Sequence, residues 1–331
     1  DLVRHLLYNG QAGLIDINLL QPMKVQDVGV DFDGLHDYSA FIIEASPLHG
    51  QTLQQVKKLL LEQINKLARG EFSNQLLPAV MANKKLHYFE DLQNNILRAS
   101  FMVHAFVNDK RWEDVALQLD RQAKITKQDI QRFVSQHFGE NNLVCVYKRQ
   151  GVDSTLKKIE KPIITPIPAN REYESALLKS IRLSKTMPIQ PKFLDFSKEL
   201  SLGKKVNGMP LIYKRNPNDG LFVLTFHYDF GTTADKRYDY AADYLDYIGT
   251  QNTTVSQLKQ AFYNLACQYN INVSANKLNV TLSGLSENMP RALRLLEQVL
   301  HQAKADKNSW LSYCDVVAKN RDDKKKNQRT N

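Results

Sequence analysis

The stretch Arg237-Tyr-Asp-Tyr-Ala-Ala-Asp-Tyr-Leu-Asp-Tyr-Ile-Gly-Thr250 reads as a helix that stops at a Gly-Thr break. A second helix follows, opened by a hydroxyl cap in Thr253-Thr-Val-Ser-Gln-Leu and running to about Tyr269. Working outward, two runs with strand character precede the stretch: Lys204 to Arg215, folded at Asn207-Gly208, and Leu221 to Phe230, closing on Gly231. Beyond it, Ile271 to Ala275 and Leu278 to Leu282 predict a strand pair across Asn276-Lys277. Glu287 to Leu300 is amphipathic, with Pro290 tolerated in its first turn, and Asn308 through Ala318 begins one more helix.

That order of elements resembles the first half of a peptidase domain of the pitrilysin-like M16 (inverzincin) zinc metallopeptidase family. Active members carry H-x-x-E-H on a helix shortly before a Gly-Thr. In such a helix two imidazoles at i and i+4 bind zinc as neutral nitrogen donors, and the intervening Glu is general base toward the metal-bound water. Here the place is held by Asp243-Tyr-Leu-Asp246-Tyr247. Asp243 and Tyr247 take the ligand positions and Asp246 that of the base. A carboxylate can ligate zinc, but a phenol with a pKa near ~10 is a poor ligand at neutral pH. Without a gap in the alignment, Tyr240, Asp243 and Tyr244 fall under the motif, and neither register supplies a histidine. The third ligand that the resemblance implies, a Glu on a later helix, would fall between about Trp310 and Asp323, where Asp315, Asp322 and Asp323 occur but no Glu. The expectation is a degenerate motif with no catalytic residue and no metal in this chain.

The amino-terminal part begins inside a helix, Leu2 to Tyr8, broken by Asn9-Gly-Gln-Ala-Gly13 and restarted over Leu14 to Leu20. Val25 to Phe32 and Tyr38 to Ala45 predict an antiparallel hairpin around Asp33-Gly34. Gln51 to Arg69 places Leu53, Val56, Leu60, Ile64 and Leu67 on one helical face, with Gly70 as the stop. One long helix from about Gln75 to Val107 and a shorter one from Trp112 to Leu119 come next. Thr126-Lys-Gln-Asp129 has the form of a capping box for a helix through Phe138. Asn142 to Tyr147 reads as a buried strand with Cys145 in the core. Residues 8 to 148 resemble the second half of an M16 domain.

From Gln150 to about Leu202 the pattern loosens, with Lys161-Pro-Ile-Ile-Thr-Pro-Ile-Pro168 and Thr186-Met-Pro-Ile-Gln-Pro-Lys192 extended and punctuated by proline. The fold class expected is α+β. Two partial M16-type domains (LuxS/metallopeptidase-like), each a largely antiparallel sheet packed with helices, are joined by a linker. Residues 1–149 form the C-terminal half of one domain, 150–202 the interdomain linker, and 203–331 the N-terminal half of a second, inactive one. The resemblance implies four homologous domains in the full protein, and both ends of this chain read as cuts through a longer polypeptide.

Hydrophobic residues at 43% and charged residues at 24% of 331 are the composition of a globular protein. No apolar run reaches the length of a membrane span, and no basic-then-apolar leader opens the chain. The balance of 44 basic against 35 acidic residues is +9. Six basic against two acidic residues from Lys319 onward put +4 of that surplus in the tail, a solvated end with no nucleic-acid reader motif. Cys145, Cys267 and Cys314 have no metal-ligand spacing.

Other constellations have plainer explanations. His87-Tyr-Phe-Glu90-Asp91 lies in the wrong half of its domain and ends in Asp, so His87 reads as a surface or packing residue. In His137-Phe-Gly-Glu140-Asn141 the Gly139 ends the helix between the two groups. His5, His36, His49, His104, His227 and His301 are scattered, and no G-x-S-x-G or P-loop occurs. Tyr228, Tyr238, Tyr240, Tyr244 and Tyr247 read as the packed side of a helix rather than as a stacking platform.

The resemblance implies a non-catalytic part of a bacterial zinc protease, walling a peptide-enclosing chamber and supporting a zinc-bearing domain elsewhere. Its partners would be the remaining domains of the same polypeptide and the parent enzyme's peptide substrate, with no nucleic acid and no membrane span. Zinc is expected in the parent protein and no cofactor in this chain. A periplasmic or cell-envelope address follows from the same resemblance. The alternative is a catalytically dead scaffold subunit of the family.

Overall fold

The computed structural model describes the backbone at residues 1–35, 37–149, 151, 160–167, 169–206 and 208–326, without the side chains at 140, 204–206, 316, 319, 320, 322, 323 and 326. His36, the turn residue Asn207, the end of the basic tail, and the Glu140, Asp322 and Asp323 carboxylates lie outside it. The chain divides into two compact units, one made of residues 1–145 with residues 216 onward, the other of Val146–Arg215.

In the first unit, α1 (Leu2–Leu7) buries Leu2, Val3, Leu6 and Leu7. The Asn9–Gly13 break is tied by Asp16, whose Oδ2 accepts the N–H groups of Asn9 and Gly13 at 2.9 Å. The helical restart then widens into a π-turn over Asp16–Leu20. Strands β1 (Asp27–Gly34) and β2 (Ser39–Ser46) pair antiparallel, and Val28 and Val30 of β1 are buried in the core. Helix α2 (Leu53–Arg69) starts at a Thr52/Gln55 capping box and ends at Gly70, where φ +73° suits glycine.

The long helix expected over Gln75–Val107 is two. Helix α3 (Leu76–Leu92) ends before Asn94, whose side chain caps α4 (Asn95–Val107) by accepting the N–H groups of Ile96 and Leu97. A cap-forming Asn competes with helix continuation, which the apolar composition around it hides. The Trp112–Leu119 helix is likewise two short ones, α5 (Trp112–Ala116) and α6 (Gln118–Gln122). Helix α7 (Lys127–His137) opens on the Thr126/Asp129 capping box and buries Ile130 and Val134.

The buried strand expected at Asn142–Tyr147 is absent. Residues 140–142 form a 3-10 turn, and the following run is extended without a ladder, leaving Val144 87% and Val146 89% exposed. Cys145 is exposed, not core. An apolar run becomes a strand only when a neighbouring edge accepts its backbone hydrogen bonds, and no such edge pairs with it among the described residues.

In the second unit, the proline-rich stretches are interrupted by α8 (Ala176–Leu183), capped by Ser175, and α9 (Phe196–Glu199), capped by Asp195. The hairpin β3 (Ser201–Val206) and β4 (Met209–Tyr213) follows, starting three residues before the expected strand. No described residue of this unit is buried.

Returning to the first unit, β5 (Leu221–Tyr228) leads into α10 (Arg237–Tyr244) and a 3-10 turn over Leu245–Tyr247. Helix α11 (Val255–Asn264), capped by Thr254, is shorter than expected because Ala266, at φ +46°, turns the chain out of helix. Residues to Tyr269 instead begin β6 (Cys267–Val273), which pairs with β7 (Leu278–Leu285). The sheet order is β5-β7-β6, all antiparallel. Helix α12 (Met289–Gln302) buries Ala292, Leu296 and Val299 in the core that holds Val280 and Leu282 of β7, and α13 (Lys307–Lys326) follows.

The opposite sheet face is largely polar, with Thr225 and His227 on β5, Asn279, Thr281 and Ser283 on β7, and Gln268, Asn270 and Asn272 on β6, and with Val223 exposed among them. No helix among the described residues is long and apolar enough to cross a membrane. Leu282, fully buried on the central strand, sets the test of this packing: Leu282→Ala is expected to lose about 2–5 kcal/mol in urea denaturation. Gly284→Ala should destabilise too, because at φ +148° its Cβ would stand 2.4 Å from the Ala266 carbonyl oxygen. Wild-type stability in either variant would refute the register.

Candidate functional site

The helix expected to carry the degenerate motif is built as α10 plus the 3-10 turn, and the change of winding falls inside the motif. Asp243 lies on the α-helical part and Tyr247 at the end of the tighter turn. With about 3.0 residues per turn in the second part, the two positions no longer stack as an i, i+4 pair on one face. In the ungapped register, Tyr240 and Tyr244 both fall within α10 and do share a face.

The two carboxylates are engaged by phenols from different elements. Tyr313 of α13 donates to Asp243 Oδ2 at 3.4 Å, and Tyr269 of β6 donates to Asp246 Oδ1 at 3.5 Å. Tyr313 is only 3% exposed. Burial first, then the charge of Asp243, pushes its phenol up to about 12. Burial and Asp246 push the Tyr269 phenol upward in the same way. Both hydroxyls therefore stay protonated at neutral pH and act as hydrogen-bond donors.

Around these contacts lies an aromatic cluster. Tyr244 meets Trp310 edge-on at 5.1 Å between centroids and Tyr313 at 5.9 Å, while Tyr247 packs on Tyr313 at 5.2 Å. The Tyr244 hydroxyl donates to the Asp306 carbonyl at 2.7 Å and accepts the Asp306 N–H at 3.1 Å. Tyr240 accepts a hydrogen bond from Arg321, and Tyr238 packs on Phe230, which packs on Tyr228. The tyrosines read as a packed face are thus in contact with the chain's own side chains, although none of the α10 residues is buried. The Gly-Thr break is structural: a Cβ on Gly249 would stand 2.2 Å from the Thr253 carbonyl oxygen, and Thr250 bridges to Ala303 just after α12.

Helix α13 does face α10, as the later helix of the motif should, but the contact is made by Trp310, Tyr313 and Arg321. Asp315 is exposed on the same helix. The i, i+3 spacing of Trp310 and Tyr313 was the available sequence signal; Tyr269 had none, because its stretch reads as helix. His87 sits exposed on α3 with Nδ1 3.0 Å from Glu90 Oε2, and the His137 ring packs 4.6 Å from that of Phe133. Among the described residues no three His, Cys, Asp or Glu side chains are gathered for a metal.

A cavity of about 270 Å³ adjoins the site, lined by Leu245, Asp246, Lys259, Cys267 and Tyr269 among others. Cys267 is buried, and that burial pushes its thiol up to about 11, so it is no nucleophile at neutral pH. A larger cavity, about 400 Å³, lies away from α10 between Asn18, Lys66, Gln75 and Gln260.

No protein-family model matches this chain, and a search of curated proteins finds no match. Among solved structures, pitrilysin superposes with a TM-score of 0.51 at 12% identity, covering 99% of this chain and 37% of pitrilysin. The periplasmic protease PqqL from Escherichia coli matches at 13% identity and TM-score 0.33, covering 95% of this chain and 37% of its own. The ferredoxin protease FusC, in complex with Arabidopsis ferredoxin, matches at 12% identity and TM-score 0.33, covering 92% and 36%. The chain spans little more than a third of the length of these proteases. Its fold is pitrilysin-like, a likeness of architecture at this level of identity.

Proposed function

We propose that this chain is a non-catalytic portion of an M16-type zinc metallopeptidase, enclosing peptide substrate and supporting a zinc-bearing domain elsewhere in the full protein. The observation that carries the reading is the state of the Asp243 and Asp246 carboxylates, each hydrogen-bonded by a protonated phenol. A catalytic zinc takes mostly neutral nitrogen donors and keeps one position open for water. Asp243 and Tyr247, oxygen donors set apart by a change of helical winding, the first of them hydrogen-bonded by the Tyr313 phenol, do not suit it. Aromatic packing takes the place of metal ligation in holding α10 to α13.

The pitrilysin-like fold supports the placement, and the largely polar face of the β5-β7-β6 sheet supports the wall role. Amide and hydroxyl side chains such as Gln268, Asn270, Asn272 and Thr225 offer both donors and acceptors, as a polypeptide backbone does. Asparagine is disfavoured in strands, so Asn270, Asn272 and Asn279 stand on one face against propensity. A site that lends such groups orients an extended peptide without selecting for charge.

Two measurements test this. Elemental analysis of the purified chain is expected to find zinc far below stoichiometry, and a chelator should leave its thermal unfolding midpoint unchanged. Stoichiometric zinc, or peptide cleavage abolished by the chelator, would overturn the proposal. The α10–α13 contact should be measurable as stability: Tyr313→Phe loses one long hydrogen bond, about 0.5–1.5 kcal/mol, and Trp310→Ala loses ring packing, about 1–3 kcal/mol. If neither variant shifts the denaturation midpoint, the aromatic cluster does not hold the helices together.

A further inference from the structure

The cavity of about 270 Å³ beside the turn that follows α10 joins an apolar wall to two opposite charges. Helix α11 presents Val255, Lys259 and Phe262 at i, i+4 and i+7, and all three line it. Phe262 is buried there with Leu258, Ile248 and Cys267, which makes that wall apolar. The 3-10 turn over Leu245–Tyr247 brings Asp246 to the same cavity.

The two charges are not used up within the chain. A carboxylate has about four lone-pair sites, and the single long hydrogen bond from Tyr269, at 3.5 Å, leaves Asp246 most of them. Lys259 carries an ammonium with three donors, and among the described residues neither it nor Asp246 has an ion-pair partner. Both side chains are exposed while the apolar residues are sunk, so charge lies at the rim and hydrocarbon at the floor. An alkyl carboxylate would engage only Lys259, and an alkylamine only Asp246. A molecule that bears an ammonium, a carboxylate and a hydrocarbon group meets all three features, and its two ion pairs leave the net charge of the cavity unchanged. Sites for drug-sized ligands run from about 300 to 1,000 Å³. This smaller space suits a single small molecule.

We infer that this cavity binds a free α-amino acid with an apolar side chain. Asp246 takes the ammonium and Lys259 the carboxylate, and the side chain covers Ile248, Leu258, Phe262 and Cys267. A peptide carries the same charges singly, an ammonium on its first residue and a carboxylate on its last. The need for both on one residue therefore separates a free amino acid from a peptide end. The inference goes beyond the peptidase reading and does not depend on it: metal content decides that reading, and ligand binding decides this one.

A nuclear magnetic resonance titration of the whole chain with leucine tests it. The signals followed are the backbone amides of Lys259 and Cys267, with those of Lys66 and Gln75, which line the larger cavity, as internal controls. The expected result is a saturable shift of the first pair alone. Leucinamide keeps only the ammonium, N-acetylleucine only the carboxylate, and serine keeps both without the hydrocarbon. Each is expected to bind at least about tenfold more weakly than leucine. Asp246→Asn and Lys259→Gln, at exposed positions, should each weaken leucine binding about tenfold as well. No saturable shift with leucine, or a shift of both pairs alike, would overturn the inference. So would leucinamide, N-acetylleucine or serine binding as tightly as leucine, or undiminished binding by either variant. The probe series on the wild-type chain decides even if a variant fails to fold.

Discussion

The seam between α3 and α11 makes one unit of two stretches of chain separated by some seventy intervening residues. Asn83 of α3 donates both to its own helix, at Ala79, and to the Tyr263 carbonyl at 2.7 Å, so the last turn of α11 has a partner that water would otherwise supply. Tyr263 is buried in the amino-terminal core, and Ala266, with no exposed surface, joins Leu86, Leu221 and Leu285 in a small cluster beneath it. This is also where the backbone leaves helix for β6, at the positive φ of Ala266. Such a conformation persists when the surrounding packing over-determines it. The β5-β7-β6 sheet, and with it the position of α10, therefore hangs on a joint assembled from both stretches.

From that joint the candidate site follows by packing. Tyr269 reaches Asp246 because β6 begins at Cys267, and Tyr313 reaches Asp243 because α13 returns across α10 after α12 has covered the sheet. The phenols are buried enough to remain protonated, and the carboxylates are exposed enough to stay solvated. The resulting pairs are weak singly, at 3.4–3.5 Å, and the ring stack of Tyr244, Tyr247, Trp310 and Tyr313 contributes more of the contact. Rings and phenols together hold α10 and the turn after it against α13.

The apolar surface left open gives a different lesson. Helix α4 buries Ala105 alone, with Ile96, Met102, Val103 and Phe106 exposed, and Val144 and Val146 stand clear of any sheet. Its apolar character marked the second of these stretches as core. Burial, however, belongs to a pair of surfaces, and a chain with an apolar face but no surface against it shows the face.

Local signals in the sequence determined what local physics controls. The capping box at Thr126, the hydroxyl cap before α11, the Gly70 stop, the hairpin across Asn276-Lys277, and the absence of histidine from the motif positions were all legible, because each depends on residues within a few positions of one another, whereas the turn expected around Asp33-Gly34 comes later, both residues being paired within the β1–β2 ladder. The length of α11, the break before α4 and the fate of Asn142–Tyr147 were not, since a strand exists only with a partner and a helix end is chosen in competition with tertiary contacts. The same division runs through the site. Asp243, Asp246 and Tyr247 could be named in advance, but only the folded chain could bring Tyr269 and Tyr313 onto the aspartates. Those contacts join residues 23 and 70 positions apart, a range over which spacing carries no geometric information and packing carries all of it.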